Sequence, residues 1–313
     1  MADSTIASGS EEAPPSIFTA HRKTQTLVVI ASALSLLVFA KGSAWIHLPQ
    51  EPGFQGSLLQ QNNWALSYIA ICIMLAICAT IGTIIAGRSW LFAGVFTAAV
   101  GLATLSARCG PLHYVLFDAL THNRLQSVFL RLALEHFIVM IPIALLWLYF
   151  WERFADLRPK PTEDADAKPR SDTAGDASAV AVQVVVMLVL VALLVATDAK
   201  KQTLIGVFVA GAISAAIAES VSPTRNAPRW YWLGSLVVGL VGYLIANTHP
   251  DVWITGFADG GLANLAHAMP LDLASAGIAG TLLGYWAAID RPHVSFQLKT
   301  KRISTPSPNP ATN

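Results

Sequence analysis

The gathering of apolar residues into eight long runs, parted by short polar connectors, restricts this chain more than any other feature. A hydrocarbon layer of about 30 Å is crossed by roughly 20 helical residues. Lipid offers the backbone no hydrogen-bond partner, so an isolated run of that length has to coil into a helix. The runs fall at residues 24–46, 65–86, 89–107, 128–151, 179–197, 203–221, 230–246 and 271–289. The expected fold is all-α, a polytopic helical transmembrane bundle of eight spans in two groups of four. Only 12% of residues are charged against 54% hydrophobic, which no ordinary soluble domain matches.

Between and beyond the runs the composition changes. Residues 1–20 and 292–313 are small, polar and Pro-bearing, and residues 152–178 combine Pro159, Pro161 and Pro169 with many Asp and Ala. Such segments bury too little apolar surface to offset chain entropy, so they are expected to be disordered tails and a disordered linker. The connector 108–127 differs, because 112–120 is apolar around His113 and Asp118. A short helix along the membrane surface is expected there. Trp147, Tyr149 and Trp151 form an interfacial aromatic belt at the end of the fourth span.

Lys and Arg accumulate on cytoplasmic flanks. With eight spans, fourteen of the 20 basic residues share one side with both termini and the linker. The connector 248–270 has none, as an exported loop should. Both termini are therefore expected in the cytoplasm, with the chain in the plasma (cell inner) membrane.

Ionisable residues at membrane depth are costly and mark candidate sites. Arg131 and Glu135 are four apart on the fourth span, with His136 beside them. The functional reading is a proton- or cation-handling site at Glu135, held by Arg131 and helped by His136. The simpler reading is an i, i+4 ion pair with Arg131 reaching outward. Pro142, on the same face, is expected to kink the helix and free the carbonyl of Ile138. Glu219 lies near the cytoplasmic end of the sixth span, within reach of headgroup water.

Small residues recur at four-residue spacing: Gly206, Ala210, Ser214 and Ala218 on the sixth span, and Ala276, Gly280 and Gly284 on the eighth. Such stripes let helix backbones approach closely in lipid. They point to a tightly packed second half or to homo-oligomer contacts. In the last exported loop His249, Asp251, Asp259, His267 and Asp272 match no metal-ligand spacing, and Asp272 reads as the N-cap of the last helix. The three cysteines form neither a disulfide framework nor a metal motif. No cofactor, catalytic or nucleic-acid motif is present, and membrane lipid is the expected partner. Glu135 and His136 as acid and base would face about 100° apart, which disfavours an embedded enzyme. A permease- or channel-like protein for a small solute or ion is favoured over a structural protein that recruits partners through its linker and tails.

Overall fold

A computed structural model describes residues 17–43, 46, 57–60, 63–86, 91–122, 124–157, 172–197, 199–222, 226–248, 250 and 264–289. Among these, every regular element is helical. The helices are α1 (Ile17–Gly42), α2 (Trp64–Ala86), α3 (Ala93–Arg108), α4 (Leu112–Thr121), α5 (Leu125–Arg153), α6 (Asp172–Leu194), α7 (Lys200–Val221) and α8 (Trp232–Thr248). The last, α9, runs over residues 270–289 as Pro270–Asp272, a π-helical segment Leu273–Gly277, and Ile278–Ile289. Short 3₁₀ turns sit at Leu58–Gln60, Ala155–Leu157, Ala227–Trp230 and Asn264–Ala266.

Six of these helical stretches are long and apolar enough to cross a membrane: those within α1, α2, α5, α6 and α7, and α8 with the turn before it. The pair α3 and α4, bent by 49° at its break, makes a seventh if it counts as one span. Leu66, Ile84, Leu145, Leu193 and Ile205 are 63–74% exposed on the outward faces of α2, α5, α6 and α7. A rim of large aliphatic side chains suits hydrocarbon and is penalised in water.

Several boundaries differ from those expected. α6 begins within the stretch read as linker, and α5 with its following turn extends to Leu157, so 158–171 is the part of that segment outside the described residues. An alanine-rich start and a continuing helix favour propagation over fraying. The apolar piece 112–120 is α4, but it lies against protein as well as the rim. Leu112, Val115, Leu116 and Ala119 are buried in a cluster with Val128, Phe129 and Leu132 of α5 and Tyr243 and Ala246 of α8. Residues of the two expected tails, 1–16 and 290–313, lie outside the described residues.

Polar side chains tie the helix ends into two sets. At one end Arg108 Nη1 donates to the carbonyl of Ala40 at 3.1 Å and to Ser43 Oγ, joining the last turns of α3 and α1. Asn264 Nδ2 donates to the carbonyl of Ala192 at 2.6 Å on α6, and Tyr243 OH to that of Ala268. At the opposite end Trp147 Nε1 donates to the Pro228 carbonyl and Trp286 Nε1 to the Leu91 carbonyl, each at 3.0 Å. An indole N–H that reaches a backbone carbonyl of a neighbouring turn is satisfied while its ring stays buried.

The tightest packing joins α7 to α9. A Cβ on Gly284 would sit 1.9 Å from the carbonyl oxygen of Ala212, and one on Gly280 2.0 Å from that of Phe208. Backbone touches backbone there, as the stripe on the last span anticipates. The α7 residues that receive it are Phe208 and Ala212, not the ridge Gly206, Ala210, Ser214, Ala218. That ridge is turned elsewhere: Gly206 meets Leu194 and Val195 at the end of α6, and Ala210 joins Met187 and Val191. Both stripes are thereby buried inside one chain.

Candidate functional site: a buried charge cluster

Arg131 and Glu135 lie on adjacent turns of α5, yet they part. Arg131 is exposed, Glu135 is 1% exposed, and among the described residues no ion pair joins them. The carboxylate instead accepts the backbone N–H of Leu59 at 3.1 Å, with the Leu58 N–H and the Ser57 hydroxyl also on it. These donors open the 3₁₀ turn Leu58–Gln60, whose first N–H groups have no partner within the turn. An anion at such a start is favoured by both hydrogen bonding and dipole. Two backbone N–H groups and one hydroxyl replace one flexible guanidinium, so the expected i, i+4 pair is corrected to a tertiary cap.

His136 faces another neighbour. Its Nε2 lies 3.0 Å from the carbonyl oxygen of Ser235 on α8, and the ring stands edge-on to Tyr243 at 6.2 Å between centroids. Gly239 makes the room, since a Cβ there would fall 2.4 Å from Nε2. A carbonyl only accepts, so Nε2 carries a hydrogen. Nδ1 is buried and has no protein partner. The helper role expected of His136 beside Glu135 is thus divided between two interfaces.

The residue that completes the Glu135 region comes from α9. Asp272 is fully buried in the first turn, where Met269 rather than Asp272 is the N-cap. Its Oδ2 accepts the Met269 N–H at 2.9 Å, the reciprocal half of a capping box. Its Oδ1 forms an ion pair with Lys200 Nζ of α7 at 2.6 Å and accepts the hydroxyl of Ser106 of α3. Lys200 also acts electrostatically on Glu135, and the buried thiol of Cys109 lies in the field of Lys200, Asp272 and Glu135 together. Five elements therefore converge: α3, α5, α7, α9 and the turn at Leu58.

Electrostatics gives this cluster its interest. It holds two carboxyl groups and one ammonium, so full ionisation leaves one negative charge unmatched in a medium that penalises it heavily. One positive species taken up at the site restores neutrality. The chemistry open to the site is reversible capture of a small positive species.

At the opposite end Glu219 Oε2 accepts the hydroxyl of Tyr231 at 3.0 Å. Tyr231 is fully buried and its ring stands edge-on to Tyr285 at 6.2 Å. Glu219 is half-buried and turned inward, not simply reaching for headgroups. Pro142 lies inside an α5 that continues unbroken to Arg153, and the carbonyl it frees, that of Ile138, accepts Tyr68 OH at 3.1 Å. His249, Asp251 and Asp259 lie outside the described residues, and no metal-binding group of His, Cys, Asp or Glu occurs among the described ones. Sequence reading did not single out Lys200 or Ser106, because only the fold brings them to Asp272. The one local signal was Asp272 itself, an acid in the first turn of an apolar helix.

No protein-family model, no curated protein and no solved structure matches this chain.

Proposed function

We propose that this is a multi-pass permease for a small cation, with its binding station at Glu135, Lys200 and Asp272. The carrying observation is the burial of two carboxyl groups beside a single ammonium, at 1%, 1% and 13% side-chain exposure for Glu135, Asp272 and Lys200 respectively. A scaffold has no need of such an arrangement, since a well-packed apolar core of equal volume is as stable or more so. Buried ionisable groups in a membrane bundle face substrate paths by default.

The reading includes eight passes, with α3 and α9 completing the set, in a plasma (cell inner) membrane. It places both chain ends and residues 158–171 in the cytoplasm, on the Glu219 side, and the Lys200 cluster towards the outside. The supporting argument is the distribution of basic residues, of which fourteen of 20 flank that side.

Purified protein in proteoliposomes provides the test. Proton, Na⁺ and K⁺ movement is followed under an imposed membrane potential. The wild type should move at least one of these species, and Glu135→Gln and Asp272→Asn should each slow it tenfold or more. Protein-free rates for all three cations would reject the proposal.

A further inference from the structure

We infer that the transported species is the proton, conducted along α9 by a file of buried hydroxyl groups bridged by internal water; this rests on the permease reading. Three hydroxyls carry the inference. Ser235 Oγ, Thr281 Oγ1 and Tyr285 OH are buried without a protein hydrogen-bond partner, and their residues are 0%, 0% and 2% exposed. Buried polar atoms left alone cost about 1–3 kcal/mol each, and bound water is the usual remedy.

Their placement is ordered. Ser235 Oγ lies over Gly277, 2.6 Å from where a Cβ would be, and Thr281 Oγ1 lies against Gly211. Gly277, Thr281 and Tyr285 are four apart and share one face of α9. Asp272 is five residues before Gly277, a spacing that an α-helix would swing off that face. The π segment Leu273–Gly277 absorbs the extra residue, because its bonding runs i to i+5. Asp272 is thereby brought into line with the hydroxyls. The file spans about 20 Å of helix from Asp272 to Tyr285. It ends where Tyr231, beside Tyr285, donates to Glu219.

An acid therefore stands at each end, and the three hydroxyls between them can each give and take a hydrogen bond. In each hop an oxygen accepts one proton on a lone pair and releases its own on the far side. Hydroxyls and waters are unchanged after the passage, and the terminal carboxyls load and unload. A metal ion finds no such continuity, since hydroxyls at helix spacing offer too few oxygens to replace its hydration shell.

The experiment uses the full chain in proteoliposomes holding a pH-sensitive dye, with K⁺ and valinomycin setting the potential and isotopic Na⁺ measured in parallel. Thr281→Val and Tyr285→Phe, which keep shape and remove the hydroxyl, should each lower proton flux at least tenfold. Thr281→Ser should restore it. Ser214→Ala should not change it, because Ser214 Oγ is already satisfied by the Gly211 carbonyl at 3.0 Å. Wild-type rates in the valine and phenylalanine variants would overturn the file while leaving the permease. Na⁺ movement without proton movement would do the same. Absence of both fluxes in the wild type would remove the permease reading as well.

Discussion

Lys200 Nζ, at the first residue of α7, lies 2.6 Å from Asp272 Oδ1 in the first turn of α9. The pair joins the two helices whose backbones are in closest contact, so a charge and a packing interface reinforce each other. Removing one partner leaves the other buried and uncompensated, which costs about 3–5 kcal/mol. The remaining exposure of Lys200 favours the lower bound. Lys200→Met and Asp272→Asn should each lower the thermal midpoint in detergent, and the double variant should be clearly less damaged than the two losses added. Additive losses would deny the pairing.

Gly284 is the most crowded glycine of the α7–α9 contact, and the obstacle is backbone rather than a side-chain tip. Gly284→Ala must push the helices apart, at about 1–3 kcal/mol. Ala287→Gly, on the exposed side of the same helix, loses only propensity, about 1 kcal/mol. Unfolding midpoints of the two variants should rank in that order.

Glu135 fastens the turn at Leu58 to α5. Glu135→Ala leaves its donors without an acceptor, whereas Glu135→Gln retains one acceptor oxygen. A Leu59→Cys reporter keeps the backbone N–H, and its labelling by a membrane-impermeant maleimide should quicken about tenfold with Ala and far less with Gln. Arg131→Gln should leave the labelling rate unchanged, because Arg131 makes no bond to that carboxylate.

Phe92 adopts φ 69° immediately before α3, the one positive-φ residue other than glycine among those described. Its ring is held against Trp147 at 4.6 Å and Trp151 at 5.9 Å. The conformation costs about 1–2 kcal/mol, less than the packing it secures. Phe92→Ala should therefore lose about 3–5 kcal/mol of stability. A neutral result in a denaturation series would show that the aromatic contact does not hold the turn.

Hydropathy is local, and so the apolar helices were legible in the sequence, although α1 and α6 each begin seven residues before the expected runs. Gly280 and Gly284 were legible as a contact stripe for the same reason, although the receiving residues Phe208 and Ala212 were not. Asp272 announced a helix start, but as the N3 half of a cap rather than the cap itself. Its partners Lys200 and Ser106 come from other helices and leave no local mark. Arg131 and Glu135 show the converse. Four-residue spacing permits a pair, and three donors from a distant turn outcompeted it. The π segment was hidden because its only trace is a five-residue step in a four-residue pattern, visible once Ser235 and Thr281 are known to be buried.

The most direct measurement is the electrical current of protein-bearing membranes on a solid support during a rapid pH or Na⁺ jump. Capture of a positive species at Glu135, Lys200 and Asp272 within the membrane requires a transient charge displacement in the wild type. It should be reduced at least tenfold in Glu135→Gln and Asp272→Asn at equal protein density. Currents from those variants equal to the wild type, or none from the folded wild type under either jump, would contradict a cation station at the cluster.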